Sequence, residues 1–161
     1  MLPDLIRPGL RLVVCGTAVS PASARLGKYY AGHGNKFWKT LHEVGLTPLG
    51  LSPETYERLL DFGIGLTDLA KKKSGLDDSL TLSDFAAQRL TELTKEYRPR
   101  CVCFNGKRAA QEFLQRSVGY GLARETIDQT ILFVAPSTSG SANRWWDSSY
   151  WAALAQICQK P

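Results

Sequence analysis

The sequence predicts an α/β protein: a three-layer α/β/α sandwich with a short, mainly parallel central sheet. Three observations support this. Short apolar runs alternate with helix-period stretches along the whole chain. Most of these runs end in a loop rich in Gly, Ser or Asn, as strands do before crossing to a helix. Nothing in the 161 residues signals a second core, so 1–161 reads as one domain.

Taken in order, Arg7-Pro8-Gly9 is an entry turn, and Leu10 to Cys15 is the first strand. Gly16 opens a long Gly-, Ser- and Pro-rich loop containing Tyr29 and Tyr30. Phe37, Trp38, Leu41 and Val44 share one face of a helix that Asn35 caps and Gly45 stops. Ser52 caps a second helix running to about Asp61, with Pro53 in its first turn and Thr55 replacing the acid of a capping box. Phe62 to Thr67 is a short strand weakened by glycines, and Asp68 falls at its end.

Lys71-Lys72-Lys73-Ser74-Gly75 reads as a basic connection, solvated or facing phosphates. Ser83 caps a helix from Asp84 to Tyr97, which Pro99 ends. Arg100 to Phe104 is a buried strand, and Asn105-Gly106 turns into a helix from Lys107 to about Arg116. Ser117 to Glu125 reads as irregular. Thr130 to Val134 is the last strand, followed by a loop from Ala135 to Arg144 and a helix from Trp145 or Asp147 to Gln159. In a parallel sheet the strand carboxyl ends share one edge. Gly16 to Tyr30, Asp68, Asn105-Gly106 and Ala135 to Arg144 should therefore meet there.

Composition narrows the function classes. At 43% hydrophobic, the chain can bury a core. No apolar run is long enough to cross a bilayer, and MLPDLIRPGL lacks the layout of a secretion signal, so a cytoplasmic protein is expected. A net charge of +5 favours an anionic partner, either nucleic acid or a phosphorylated metabolite. The four cysteines are scattered; Cys101 and Cys103 share one strand face and read as buried thiols, because no cluster completes a metal-ligand set. His33 and His42 are isolated, no serine has a His-Asp partnership, and no phosphate-loop fingerprint is present.

The stretch CGTAVSPASARLGKYYAGHGNKFWKTLHEVGLTP, Cys15 to Pro48, resembles the mismatch-specific uracil-DNA glycosylases, the group containing Mug and thymine-DNA glycosylase. The resemblance spans nearly the whole chain. It rests on Gly16, Ser23-Ala24, Tyr30, Asn35-Lys36-Phe37-Trp38, Gly65-Leu66-Thr67 and the Pro-Ser-rich loop Pro136-Ser137-Thr138-Ser139-Gly140. It implies a monofunctional glycosylase that needs no cofactor, acts as a monomer on double-stranded DNA containing uracil or a mismatched base, and hydrolyses the N-glycosidic bond without cutting the strand. One departure matters. The family's first motif has an Asn that positions water, and here Ala18 stands in its place. The late loop also lacks the His of the broader superfamily, because Ala135 precedes Pro136.

Asp68 is the candidate catalytic residue, from its predicted edge and from resemblance to a sub-branch that lacks the Asn. Its structural alternatives are a cap or an ion pair with Lys71 or Lys72. Gly16, Thr17, Ala18, Ser23, Tyr30 and Asn35 are expected to form the base pocket. Backbone N–H groups at Gly16 and Thr17 would serve the leaving base, and Tyr30 would stack on it, with Tyr29 as rival. Ser23 would touch the base edge or bond within its loop, and Asn35 would reach the pocket or cap its helix. Pro136, Ser137, Thr138, Ser139, Gly140, Ser141, Asn143 and Arg144 are expected to meet DNA, with Asn143 or Arg144 filling the gap left by the flipped base. Trp145, Trp146 and Trp151 are expected to pack. The competing functions are a non-catalytic damaged-DNA-binding protein and a module for a small phosphorylated ligand.

Overall fold

The computed structural model describes residues 2–70 and 82–159. Its strands are β1 (Leu12–Gly16), β2 (Ile64–Asp68), β3 (Cys101–Asn105), β4 (Gly121–Ile127) and β5 (Thr130–Ala135). They form one sheet in the order β2-β1-β3-β5-β4. The first four in that order run parallel, and β4 alone is antiparallel. The helices are α1 (Pro21–Leu26), α2 (Phe37–Glu43), α3 (Leu82–Tyr97), α4 (Lys107–Leu114) and α5 (Ser148–Ile157), with 3-10 segments at Pro53–Phe62 and Gly140–Trp145.

β1, β2 and β3 are buried along their full length, which is why they read as continuous apolar runs. Side-chain alternation splits the core into two layers. Leu12, Val14, Cys101, Cys103 and Phe133 pack with Phe37, Leu41 and Trp151 from α2 and α5. Val13, Cys15, Val102, Phe104 and Leu132 pack with Leu90, Ala109 and Ala110 from α3 and α4. The sandwich is therefore the predicted one, and Cys101 and Cys103 are free thiols on one face.

Four readings need correction. Ser117 to Glu125 is not irregular throughout, because β4 occupies much of it and pairs with β5 across a turn at Asp128-Gln129. Asp128 takes φ 51°, and Arg116 holds the strand through Glu125 with two bonds of 2.7 Å. The long first loop contains α1, capped by the Ser20 hydroxyl, which accepts from the Ser23 N–H at 3.1 Å, with Pro21 in the first turn. The segment after Ser52 is a 3-10 helix, although Thr55 Oγ1 accepts from the Ser52 N–H at 3.0 Å as expected. The late loop closes into the 3-10 turn Gly140–Trp145, and α5 starts only after Asp147, whose carboxylate accepts from the Ser149 N–H at 2.9 Å. Lys71 to Gly75 and the side chain of Ser83 lie outside the described residues.

Among the described residues no helix is long and apolar enough to cross a membrane. Arg11, just before β1, is 8% exposed and donates to three carbonyls: Phe62 at 2.8 Å, Cys158 at 2.9 Å and Leu46 at 2.6 Å. It ties the 3-10 helix, the end of α5 and the exit of α2 to the sheet.

Candidate active site

A cavity of about 190 Å³ opens at the carboxyl ends of the parallel strands. Gly16, Thr17, Ala18, Ser23, Tyr30, Asn35, Asp68, Asn105, Ser137, Thr138 and Ser139 all line it. The edge predicted from strand order thus gathers the first loop, the second strand end and the late loop. A larger cleft of about 570 Å³ lies at the opposite end of the sheet, among Lys95, Arg98, Arg100 and Asp128. Volume alone does not mark the site; the strand carboxyl ends do.

Gly16 and Asp68 are direct partners in the β1–β2 ladder. The ladder continues past the strands, with the Leu69 N–H donating to the Gly16 carbonyl at 2.9 Å and the Ala70 N–H to the Thr17 carbonyl at 2.8 Å. Asp68 is 3% exposed. A Cβ on Gly16 would lie 2.9 Å from Asp68 Oδ1 and 3.5 Å from the Tyr30 hydroxyl, so both groups converge over a residue with no side chain. Gly16→Ala should displace the Asp68 carboxylate. If Asp68 serves the base release that the resemblance implies, this variant should lose about 10²-fold in rate, the effect of a small misplacement at a reacting centre, with the melting temperature nearly unchanged in a thermal scan.

Tyr30 takes the left-handed conformation at φ 51°, a strain that the surrounding contacts must offset. Its ring stacks on Phe37 with centroids 4.0 Å apart, so one face is already covered. Its hydroxyl is buried beside the Asn105 side chain, with no hydrogen bond of good geometry among the described residues. Burial, and then the charge of Asp68, hold the phenol well above its ordinary pKa. Tyr30 therefore keeps its proton and offers a donor inside the cavity. Tyr29 is not its rival: it is 2% exposed, donates to the Pro3 carbonyl at 2.9 Å and packs edge-on against Tyr56.

Ser23 bonds within its own segment, accepting from the Ala31 N–H at 2.9 Å. Asn35 lines the cavity and sits one residue before Lys36, the N-cap of α2, with its Oδ1 accepting from the Phe37 N–H at 3.0 Å. Asn105 sits at the expected edge and lines the cavity, a site role that the sequence does not assign to it. Its amide grips Thr138 twice, donating to Oγ1 and accepting from the N–H, each at 3.0 Å. Its position at the end of β3 was readable, but its partner 33 residues away was not.

The late loop differs from expectation at several positions. Pro136 lies outside the cavity lining, and its carbonyl accepts from Trp151 Nε1 at 2.9 Å. Thr138 is 1% exposed and engaged by Asn105, so it is a structural residue and not a surface contact for phosphate. Ser137 and Ser139 reach the cavity, while Ser141 bonds Ser139 on the exposed side. Gly140 passes close to Gly34, where a Cβ would lie 3.3 Å from the Gly34 carbonyl. Asn143 is held by the Lys36 ammonium, which also sits 5.1 Å from the centre of the Trp146 ring. This contact lies at the exposed surface. Trp145 does not pack: it is 60% exposed, with the Arg144 guanidinium 5.5 Å from its ring centre.

Residues 3–156 match the model of the Uracil DNA glycosylase superfamily. Among solved structures, the chain is similar to the solution NMR structure of a "putative Uracil DNA glycosylase from Methanosarcina acetivorans". Identity is 25%, the match covers 97% of this chain and 96% of the other, and the TM-score is 0.62. A family match over nearly the whole chain, on a fold whose strand ends enclose a carboxylate-bearing cavity, places this protein in the uracil DNA glycosylase superfamily.

Proposed function

We propose that the chain is a monofunctional DNA glycosylase of the Mug and thymine-DNA glycosylase type that uses Asp68 where relatives use the motif Asn. The substrate is uracil, flipped out of a duplex, with other deaminated or mismatched bases as further candidates. The observation that supports this is the buried Asp68 carboxylate facing the small cavity beside the proton-bearing Tyr30 hydroxyl. A cavity of about 190 Å³ suits one flat ring.

The chemistry follows from these groups. As the bond between C1′ and the base lengthens, positive charge grows on the sugar and negative charge on the base. The Asp68 carboxylate opposes the sugar charge and accepts a proton from the attacking water. The water oxygen bonds to C1′, and the electron pair of the broken bond leaves with the base. The Tyr30 hydroxyl donates a hydrogen bond to the base or to the water, which lowers the cost of the developing charge. Ala18 lines the cavity, and its methyl side chain supplies no polar atom.

Duplexes carrying a single uracil opposite guanine or adenine, incubated with the protein and scored for alkali-labile sites, test this reading. Release of uracil without strand cleavage before alkali supports it. Tight binding with no release would instead support the damage-binding alternative that Ala18 keeps open.

Trp145 and Arg144 present an exposed aromatic–cation pair at the end of the 3-10 turn that follows the cavity-lining Ser137 and Ser139 in the chain. We assign this pair, and not Asn143, to contact with the duplex around the flipped base. Trp145→Ala should weaken binding to a uracil duplex about tenfold, the low end of aromatic–base stacking. Anisotropy titration reads this directly, with a melting temperature close to that of the parent protein.

A further inference from the structure

We infer that Asp4, Thr67 and Arg89 form a clamp that sets the direction of the Asp68 carboxylate, with Arg89 a positioning residue for the reaction. The inference rests on the glycosylase reading above and deepens it.

The clamp starts with a short stretch of chain on the outer edge of β2. Leu5 and Leu66 exchange backbone hydrogen bonds of 2.9 and 2.8 Å, an antiparallel bridge on the sheet's edge strand. Gly65 permits this approach, since a Cβ there would lie 2.5 Å from the Leu5 carbonyl. The bridge brings Asp4 to Thr67. Asp4 Oδ1 accepts from the Thr67 hydroxyl at 2.6 Å, and Oδ2 from Arg89 Nη1 at 2.7 Å. Arg89 Nη2 donates to Thr67 Oγ1 at 3.0 Å and to the main-chain carbonyl of Asp68. The ion pair is largely buried, with side chains 19% and 16% exposed.

These contacts fix residue 68 from two sides. On the inner edge, the Leu69 N–H is bonded to the Gly16 carbonyl. On the outer edge, Arg89 holds the carbonyl of the same peptide group. That peptide plane cannot rotate without breaking both bonds, so the carboxylate is left only its side-chain torsions. Asp4 has a second effect. It balances the charge of a guanidinium that lies against the backbone of Asp68 itself. A buried ion pair is weak evidence for stability, because well-packed apolar residues often do as well. Its contact with the backbone of the catalytic residue is what gives this one a role in the reaction.

Single-turnover uracil release is measured for the parent protein, Arg89→Met and Thr67→Val, then for both substitutions in an Asp68→Asn background. Duplex affinity and melting temperature are recorded for each. Arg89→Met should slow release about 10²-fold, as expected for a displaced reacting group, with duplex affinity unchanged. Thr67→Val should slow it less, because Arg89 keeps both Asp4 and the carbonyl. Arg89→Lys should recover only part of the rate, since an ammonium lacks the fork. In the Asp68→Asn background neither substitution should slow release further. An equal loss in both backgrounds, a loss fully explained by weaker binding, or full activity in Arg89→Met would overturn the inference. If Arg89→Met does not fold, the Thr67→Val comparison decides. No release by the parent protein would sink the glycosylase reading itself, and this inference with it.

Discussion

Asp68→Asn is expected to reduce uracil release about 10³-fold, or roughly 4 kcal/mol of transition-state stabilisation, within the range for a lost general base. Asn nearly matches Asp in size, so the cavity wall that Asp68 shares with Gly16 and Tyr30 should keep its shape. What the proposed mechanism would lose is the charge opposing the sugar cation and the acceptor for the water's proton. The loss should therefore appear in the rate and not in duplex affinity. Single-turnover kinetics with excess protein separates the two. Full activity in this variant would remove Asp68 from the mechanism while leaving the glycosylase reading intact. Ala18→Asn on top of Asp68→Asn puts an amide on the cavity wall and should restore part of the rate.

Arg11→Met should cost about 3 kcal/mol of folding stability, because it removes charged donors from buried carbonyls. The three acceptors, at Phe62, Cys158 and Leu46, belong to three separate segments. Burial lowers the Arg11 pKa, yet a guanidinium stays protonated at neutral pH. Methionine fills similar volume but donates nothing, so the carbonyls lose their partners. Arg11→Lys should recover only part of the loss, since one ammonium cannot reach all three. Urea unfolding gives the stability change, and activity per folded molecule should be unaffected because Arg11 lies outside the cavity lining.

The sheet was legible because its parallel strands are buried on both faces and announce themselves as apolar runs. Gly16 and Asp68 each end such a run, so their meeting at one edge followed from topology. β4 was not legible. It alternates partly buried and exposed residues, and its turn, Asp128-Gln129, lacks the usual Asn-Gly or Asp-Gly signal. Arg11 looked like part of a strand, since nothing local shows that three distant carbonyls await it. In the site, the positions of Ser137 and Ser139 were readable from the loop after β5, but the states of their neighbours were not. Thr138 is committed to Asn105, and Asn143 to Lys36, by contacts 33 and 107 residues apart in the chain. Trp145 shows the reverse: an aromatic among aromatics reads as core until the 3-10 turn is seen to leave it outside.

The ties on the late loop bear on how the protein meets DNA. Asn105 holds Thr138, the Lys36 main chain donates to the Thr138 carbonyl at 2.9 Å, and Trp151 holds Pro136. A loop already ordered in the free protein pays little further entropy on docking. On the proposed reading, contact with the duplex would resemble a rigid template meeting a deformable rod, and the cost of adjustment would fall on the DNA. Under the proposed flipping of the base, pairs that open easily would gain most from such a partner, and selectivity for weakened pairs would then arise partly from the stiffness of the loop.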